Sequence, residues 1–277
     1  MLLKLKAVSI ALTLMSLKGT FAMAHSQLHE IVTTYSESYK RLDAYLAPYF
    51  GVEELLGQFG DYPSPTYFNR LKSLCQTTLA KLDTVDQKTL SAKDTVLYRL
   101  LHGDLEVTLA GYDFPSELLA FNQMDNRLHS YIDDSNKDLT LFPFDTVAHY
   151  DAFVSRSDGL RAYVDAQIEV LRRGIKTGVT LTKLLAERTL PTFQEGLEPV
   201  VEKNPFWRPI TFMPESFPEA DKKRLKEAFR KMITERIVPS FAKFDHFFRD
   251  EYLPKCRQSG FGLSNLPQAK AWYAHLI

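Results

Sequence analysis

The sequence predicts an all-α protein, an irregular multi-helix bundle. Apolar residues recur at steps of three and four through almost every segment. Capping residues stand where those periodic stretches begin. No segment reads as a strand, and no internal repeat is visible.

Residues 28–48 carry the stripe Leu28, Ile31, Tyr35, Tyr39, Leu42, Tyr45 and Leu46. "SPTYFNRLKSLCQTTLAKL" (64–82) opens with Ser64 at the cap and Pro65 at the first helical position. Segment 91–113 starts with Ser91 and has Asp94 three residues on, which resembles a capping box. Gly111 is a plausible stop for it. The stretch 114–145 mixes prolines with Asn/Asp clusters and reads as a short helix, then loop. Helices resume at 146–156, at 158–173, with Gly174 and Gly178 as punctuation, and at about 181–199. Four prolines (Pro205, Pro209, Pro214, Pro218) make 204–220 a loop. From Asp221 to Tyr252 the apolar row Leu225, Phe229, Met232, Ile233, Ile237, Phe241, Phe244, Phe248 predicts the longest helix, with Pro239 expected to kink or split it.

Composition narrows the class of protein. The chain is 45% hydrophobic and 25% charged, and 34 basic residues balance 34 acidic ones. There is no basic excess of the kind a nucleic-acid surface needs. The N-terminus "MLLKLKAVSIALTLMSLKGTFAMA" has Lys4 and Lys6, an apolar run from Ala7 to Leu17 and a small-x-small site at Ala22-Met23-Ala24. That is the pattern of a secretory signal peptide over 1–24, leaving a helical domain over 25–277. The run is too short to span a bilayer, so no membrane association is expected after cleavage and the mature chain is expected to be periplasmic or secreted. Losing Lys4, Lys6 and Lys18 leaves 31 basic against 34 acidic residues, a formal −3. Only Cys75 and Cys256 are available for a disulfide. They could pair, but Cys75 lies on an apolar helical stripe and reads better as a buried free thiol.

Catalytic motifs are missing. Of the seven histidines (His25, His29, His102, His129, His149, His246, His275), only His25 and His29 have helical ligand spacing. "HEIVT" (29–33) is half of H-E-x-x-H, with Thr33 where the second zinc ligand would stand, so no metal site is read there. Cleavage after Ala24 would put His25 at the N-terminus, where an α-amine and imidazole can chelate copper; a frayed polar leader is the plainer reading. There is no nucleophile elbow and no phosphate-cradling glycine loop. The unusual constellation is "FNQMDNR" (121–127), in which Asn122, Gln123, Asp125 and Asn126 crowd around Met124. It reads either as a polar cluster lining a cleft or as an Asx-rich turn satisfying its own backbone.

Four segments, in order, are similar to one family. "VPSFAKFDHFFRDEYLPKCRQSGFGLSNLPQAKAWYAHLI" (238–277), "LLAFNQMDN" (118–126), "YVDAQIEVLRRGIKTGVTL" (163–181) and "LGQFGDYPSP" (56–65) resemble the bacterial domain of unknown function 885 family. That family is zincin-like and distantly similar to carboxypeptidase Taq-type metallopeptidases. Leu266-Pro267 and Trp272-Tyr273 fall on its LP and double-aromatic positions. Gln268-Ala269 replaces the glycine after LP, and Asn126 stands where members often have Gly.

The resemblance implies the N-terminal helical part of a zincin-like metallopeptidase architecture, incomplete at the C-terminus. Members run on past the double aromatic to an H-E-x-x-P-G-H-H segment and a later acidic ligand, and no residue here matches those. The expectation is therefore a secreted N-terminal fragment of a zinc metallopeptidase-like protein, inactive alone, with no catalytic or metal residues of its own. Zinc is expected only in a missing half, supplied by a separately encoded C-terminal catalytic partner. Asn122, Gln123 and Tyr273 are the expected substrate-binding wall for a peptide. An exposed apolar patch is expected near Trp272, Leu276 and Ile277. The alternative is a free-standing periplasmic helical binding or interaction protein with a well-covered C-terminus.

Overall fold

The computed structural model describes residues 27–277. The signal peptide, its cleavage site and the His25 copper reading lie outside the described residues. Helix α1 (Gln27–Lys40) buries Leu28, Ile31, Val32, Tyr35 and Tyr39 along one face. It ends well short of residue 48. The Asp43 side chain accepts the Tyr45 N–H and starts a 3-10 turn at Ala44–Leu46 instead.

Both predicted caps are formed. Ser64 Oγ accepts from Tyr67 N–H at 3.1 Å and opens α2 (Pro65–Leu82). Ser91 Oγ accepts from Asp94 N–H at 3.1 Å and donates to the Asp94 carboxylate at 2.9 Å, opening α3 (Ala92–Ala110). Each cap satisfies an orphan donor of the first turn and is worth about 1 kcal/mol. Helix α2 packs against α1 on one side and α3 on the other.

After two 3-10 turns (Gly111–Asp113 and Ser116–Leu119), α4 (Arg127–Asp133) begins at Asn126, whose Oδ1 accepts from His129 N–H at 2.7 Å. Helices α5 (Val147–Arg156) and α6 (Leu160–Thr177) follow. Gly178 closes α6 in the left-handed region at φ 74°, whereas Gly174 lies inside the helix. A Cβ on Gly174 would sit 2.6 Å from Val179 O, so glycine there permits a close backbone approach rather than a stop.

Two readings of the middle of the chain need correction. The helix expected at 181–199 is α7 (Lys183–Thr189) followed by short turns at Pro191–Gln194 and Glu195–Leu197. Pro191 has no N–H to continue α7. The expected loop at 204–220 contains turns at Pro205–Trp207 and Arg208–Thr211. Their prolines sit at first-turn positions, where the lost donor would be an orphan anyway.

The long apolar row is realised as α8 (Glu219–Met232), a π-helical segment (Ile233–Ile237), α9 (Val238–Phe247) and a second π-helical segment (Phe248–Tyr252). Pro239, expected to kink or split this run, stands in the first turn of α9: the chain stays helical, but its α-helical turns are interrupted by the π segment just before it. A proline ring crowds the carbonyl four residues earlier, here Glu235, and the wider π turn contains that carbonyl. The same relation recurs at Pro254, whose crowded carbonyl on Asp250 lies in the second π segment. The chain closes on α10 (Ala269–Leu276).

Aromatic rings knit the core. Phe121, Phe193, Phe244 and Phe248 interlock, with Phe121 and Phe244 centroids 4.7 Å apart. Tyr131, Phe153, Phe206 and Phe229 continue the cluster. Burying one such ring contributes roughly 1.5–3 kcal/mol. A satellite core of Leu118, Val170, Val179, Leu266 and Trp272 fixes α10 against α6. Of the expected apolar patch, Trp272 is buried, whereas Leu276 and Ile277 are exposed, together with Tyr273.

Among the described residues there is no strand beyond an isolated bridge between Thr182 and Arg257. No helix among them is long and apolar enough to cross a membrane. Cys75 and Cys256 are both buried free thiols, which removes the disulfide alternative.

Candidate functional site

A groove of about 650 Å³ runs between the first turns of α2 and the chain leaving α3. Its position follows from the sequence. Ser64 and Pro65 start α2 and throw Tyr67 and Phe68 to one side. Gly111–Asp113 stops α3 and turns Tyr112, Phe114 and Pro115 back towards them. Tyr112 Oη donates to Phe68 O at 2.8 Å and fixes the two rims together. Ala120, Asp125, Arg173 and Gln268 also line it.

The lining is aromatic but carries both signs of charge. Tyr62, Tyr67, Phe68, Tyr112 and Phe114 supply flat apolar faces. Lys72 reaches over the Tyr112 ring, Nζ 5.3 Å from its centroid. Arg173 pairs with Glu117 at 3.4 Å, and Asp113 stands exposed at the rim. Burial pushes the Tyr62, Tyr67 and Tyr112 phenols above the ordinary value, so they remain protonated and can donate hydrogen bonds at neutral pH.

The back of the groove is anchored in the core. Tyr62 stacks on the Arg127 guanidinium, 4.7 Å from ring centroid to Cζ. Arg127 also faces Tyr45 at 4.5 Å and Tyr163 at 5.6 Å. Phe114 lies flat on Trp272, with centroids 6.2 Å apart and planes inclined by 9°. Gln268, at the groove end, holds φ 57°, a left-handed conformation that favours glycine.

The polar stretch 121–127 divides between the two readings made of it. Asn122 Oδ1 accepts from Met124 N–H at 2.9 Å and Asp125 N–H at 3.1 Å, and its Nδ2 donates to Leu119 O. It is spent on an Asx turn, and that turn presents Asp125 to the groove. Asn126 caps α4 and donates through Nδ2 to Asn122 O and Thr192 Oγ1. Gln123 Oε1 is buried with no partner among the described residues. Tyr273 projects from α10 into solvent, 58% exposed. Asn122, Gln123 and Tyr273 are absent from the groove lining.

The aromatic residues were missed in the sequence because Tyr62 and Phe114 lie in proline-rich stretches that looked like connectors. The paired segments "YPSPTYF" and "GYDFPSE" were the available signal: each puts rings and prolines at a helix end.

The zinc implied by the resemblance does not fit the residues present. Among the described residues no group of three or more His, Cys, Asp or Glu is placed to hold a metal. His29 meets Asp94, His102 meets Asp83 and Glu106, and His246 meets Asp250.

The chain belongs to the family of bacterial proteins of unknown function designated DUF885, whose model matches residues 45–277. The helical fold is similar to the crystal structure described as "the putative lipoprotein from Colwellia psychrerythraea", with TM-score 0.74 and 14% identity. That match covers 90% of this chain and 45% of the other, so this chain spans about half the length of its structural neighbour. No curated protein matches the sequence.

Proposed function

We propose that this chain is an extracytoplasmic peptide-binding half of a zinc metallopeptidase-like protein, with the zinc-bearing half supplied by other sequence. The groove carries the reading. Its aromatic walls suit side chains, Asp113 and Asp125 suit a peptide amine, and Lys72 and Arg173 suit a carboxylate. The role of these residues is to bind and orient; none is assigned a proton transfer or a bond-breaking step. Asn122 acts as a positioning residue for Asp125, with Gln123 and Tyr273 flanking the wall. The family membership, the signal-peptide pattern and the much longer structural neighbour support this assignment.

The test is reconstitution. The chain is mixed with a polypeptide bearing the family's H-E-x-x-P-G-H-H segment, and peptide hydrolysis is followed with and without zinc. Zinc-dependent hydrolysis by the mixture, and by neither component alone, is expected. A stable complex of the two that cleaves no peptide would sink the reading.

A second reading, a free-standing periplasmic binding protein, has its own support. Trp272 is covered by Leu118, Val170, Val179 and Leu266, so the first turn of α10 is seated on the core. That reading expects the chain alone to be monodisperse and to bind peptide as tightly as any mixture does.

A further inference from the structure

Helix α3 is apolar on two opposite faces. Tyr98, Leu101 and Leu105 point into the core. On the other side Ala92, Val96, Leu100, Val107 and Ala110 are exposed, with Val96, Leu100 and Val107 at 57%, 53% and 46%. Their spacing is that of one helical stripe. Gly103 lies in the middle of it, and no described residue stands within 4 Å of where its Cβ would be. A large side chain at the centre would hold a neighbouring helix away; glycine allows close approach.

We infer that this face of α3 is the contact for a second copy of the chain, packed antiparallel about a two-fold axis at Gly103. The charges flanking the stripe identify the occupant. Arg99 and Glu106 lie on one flank, nearly equidistant from Gly103 and about 10 Å apart along the axis. An antiparallel two-fold sets Arg99 beside the partner's Glu106, and Glu106 beside the partner's Arg99. The same operation sets Leu100 beside the partner's Val107 and Val96 beside the partner's Ala110. Among the described residues Arg99 makes no ion pair, and Glu106 meets only His102, at 3.2 Å. The surface is self-complementary in shape and in charge, as an isologous contact requires. This inference is independent of the peptide-binding reading, because the groove lies at the end of α3 and not on this face.

Sedimentation velocity from nanomolar to high micromolar concentration tests it. The wild-type protein is expected to pass from monomer to dimer. Leu100→Glu should leave a monomer at every concentration, with an unchanged circular dichroism spectrum. Arg99→Glu and Glu106→Arg should each weaken the dimer about tenfold through two like-charge contacts, and the double variant should restore it. A wild-type protein that stays monomeric throughout overturns the inference, as does a dimer indifferent to Leu100→Glu or a double variant as weak as the singles. A monomer that binds anionic phospholipid vesicles through Leu100 assigns the face to a lipid surface, and also overturns it.

Discussion

Asp43 and Arg127, 84 residues apart in sequence, form a two-point ion pair in the core, with Nη1–Oδ1 at 3.3 Å and Nη2–Oδ2 at 2.5 Å. Both side chains are 4% exposed. The pair joins the turn after α1 to the first residue of α4, and Tyr45, Tyr62 and Tyr163 enclose its cation. Because Tyr62 is also a groove wall, this buried pair couples the stability of the fold to the shape of the groove.

Removing one member strands the other charge out of water. Asp43→Ala or Arg127→Met should each cost about 3–5 kcal/mol, and the double variant should cost clearly less than the two single losses combined. Urea unfolding of the three variants gives the comparison. Strictly additive losses would show that the residues do not act as a pair.

Gly60 guards the same contact. It sits at φ 78°, and a Cβ there would lie 2.8 Å from Asp43 Oδ1. Gly60→Ala combines backbone strain with displacement of the carboxylate and should destabilise the protein by about 2 kcal/mol or more. At Gln268 the logic reverses. Gln268→Gly relieves a left-handed non-glycine residue and should raise stability by about 1 kcal/mol. Thermal melts of the two variants should move in opposite directions.

Burial pushes the Cys75 and Cys256 thiols up from 9.0 to about 12, with Asp104 adding to the shift at Cys75. Between those values the unfolded chain releases thiol protons that the folded chain keeps. The unfolded state then binds fewer protons, so stability should fall as pH rises from 9 towards 12. Alkaline urea titrations of wild type and of Cys75→Ala/Cys256→Ala should show a shallower fall in the variant. In native protein neither thiol should react with a disulfide reagent at neutral pH, and both should react after unfolding.

Much of the fold was legible because it is local. Ser64-Pro65 and Ser91-x-x-Asp94 specify helix starts by chemistry within one turn, and the structure forms both caps. Residues 225–248 specify a buried helical face by spacing alone. What was not legible depends on residues distant in sequence. Trp272 looked like part of an open apolar stripe because Val170 and Val179, which cover it, lie about a hundred residues earlier. The polar loop at 121–127 drew attention to Asn122, whereas the groove is reached by Asp125, because the Asx turn decides which carboxylate faces outward. Pro239 looked like a break because helical spacing does not reveal that the preceding turn widens.

Peptide binding at the groove is the central claim, and a nuclear magnetic resonance titration of isotope-labelled protein with short unlabelled peptides tests it most directly. The expected result is saturable shifts clustered on Tyr62, Tyr112, Phe114, Asp125 and Gln268, lost in Tyr112→Ala while the remaining spectrum stays folded. Shifts confined to other surfaces, or no shifts at any peptide concentration, would contradict it.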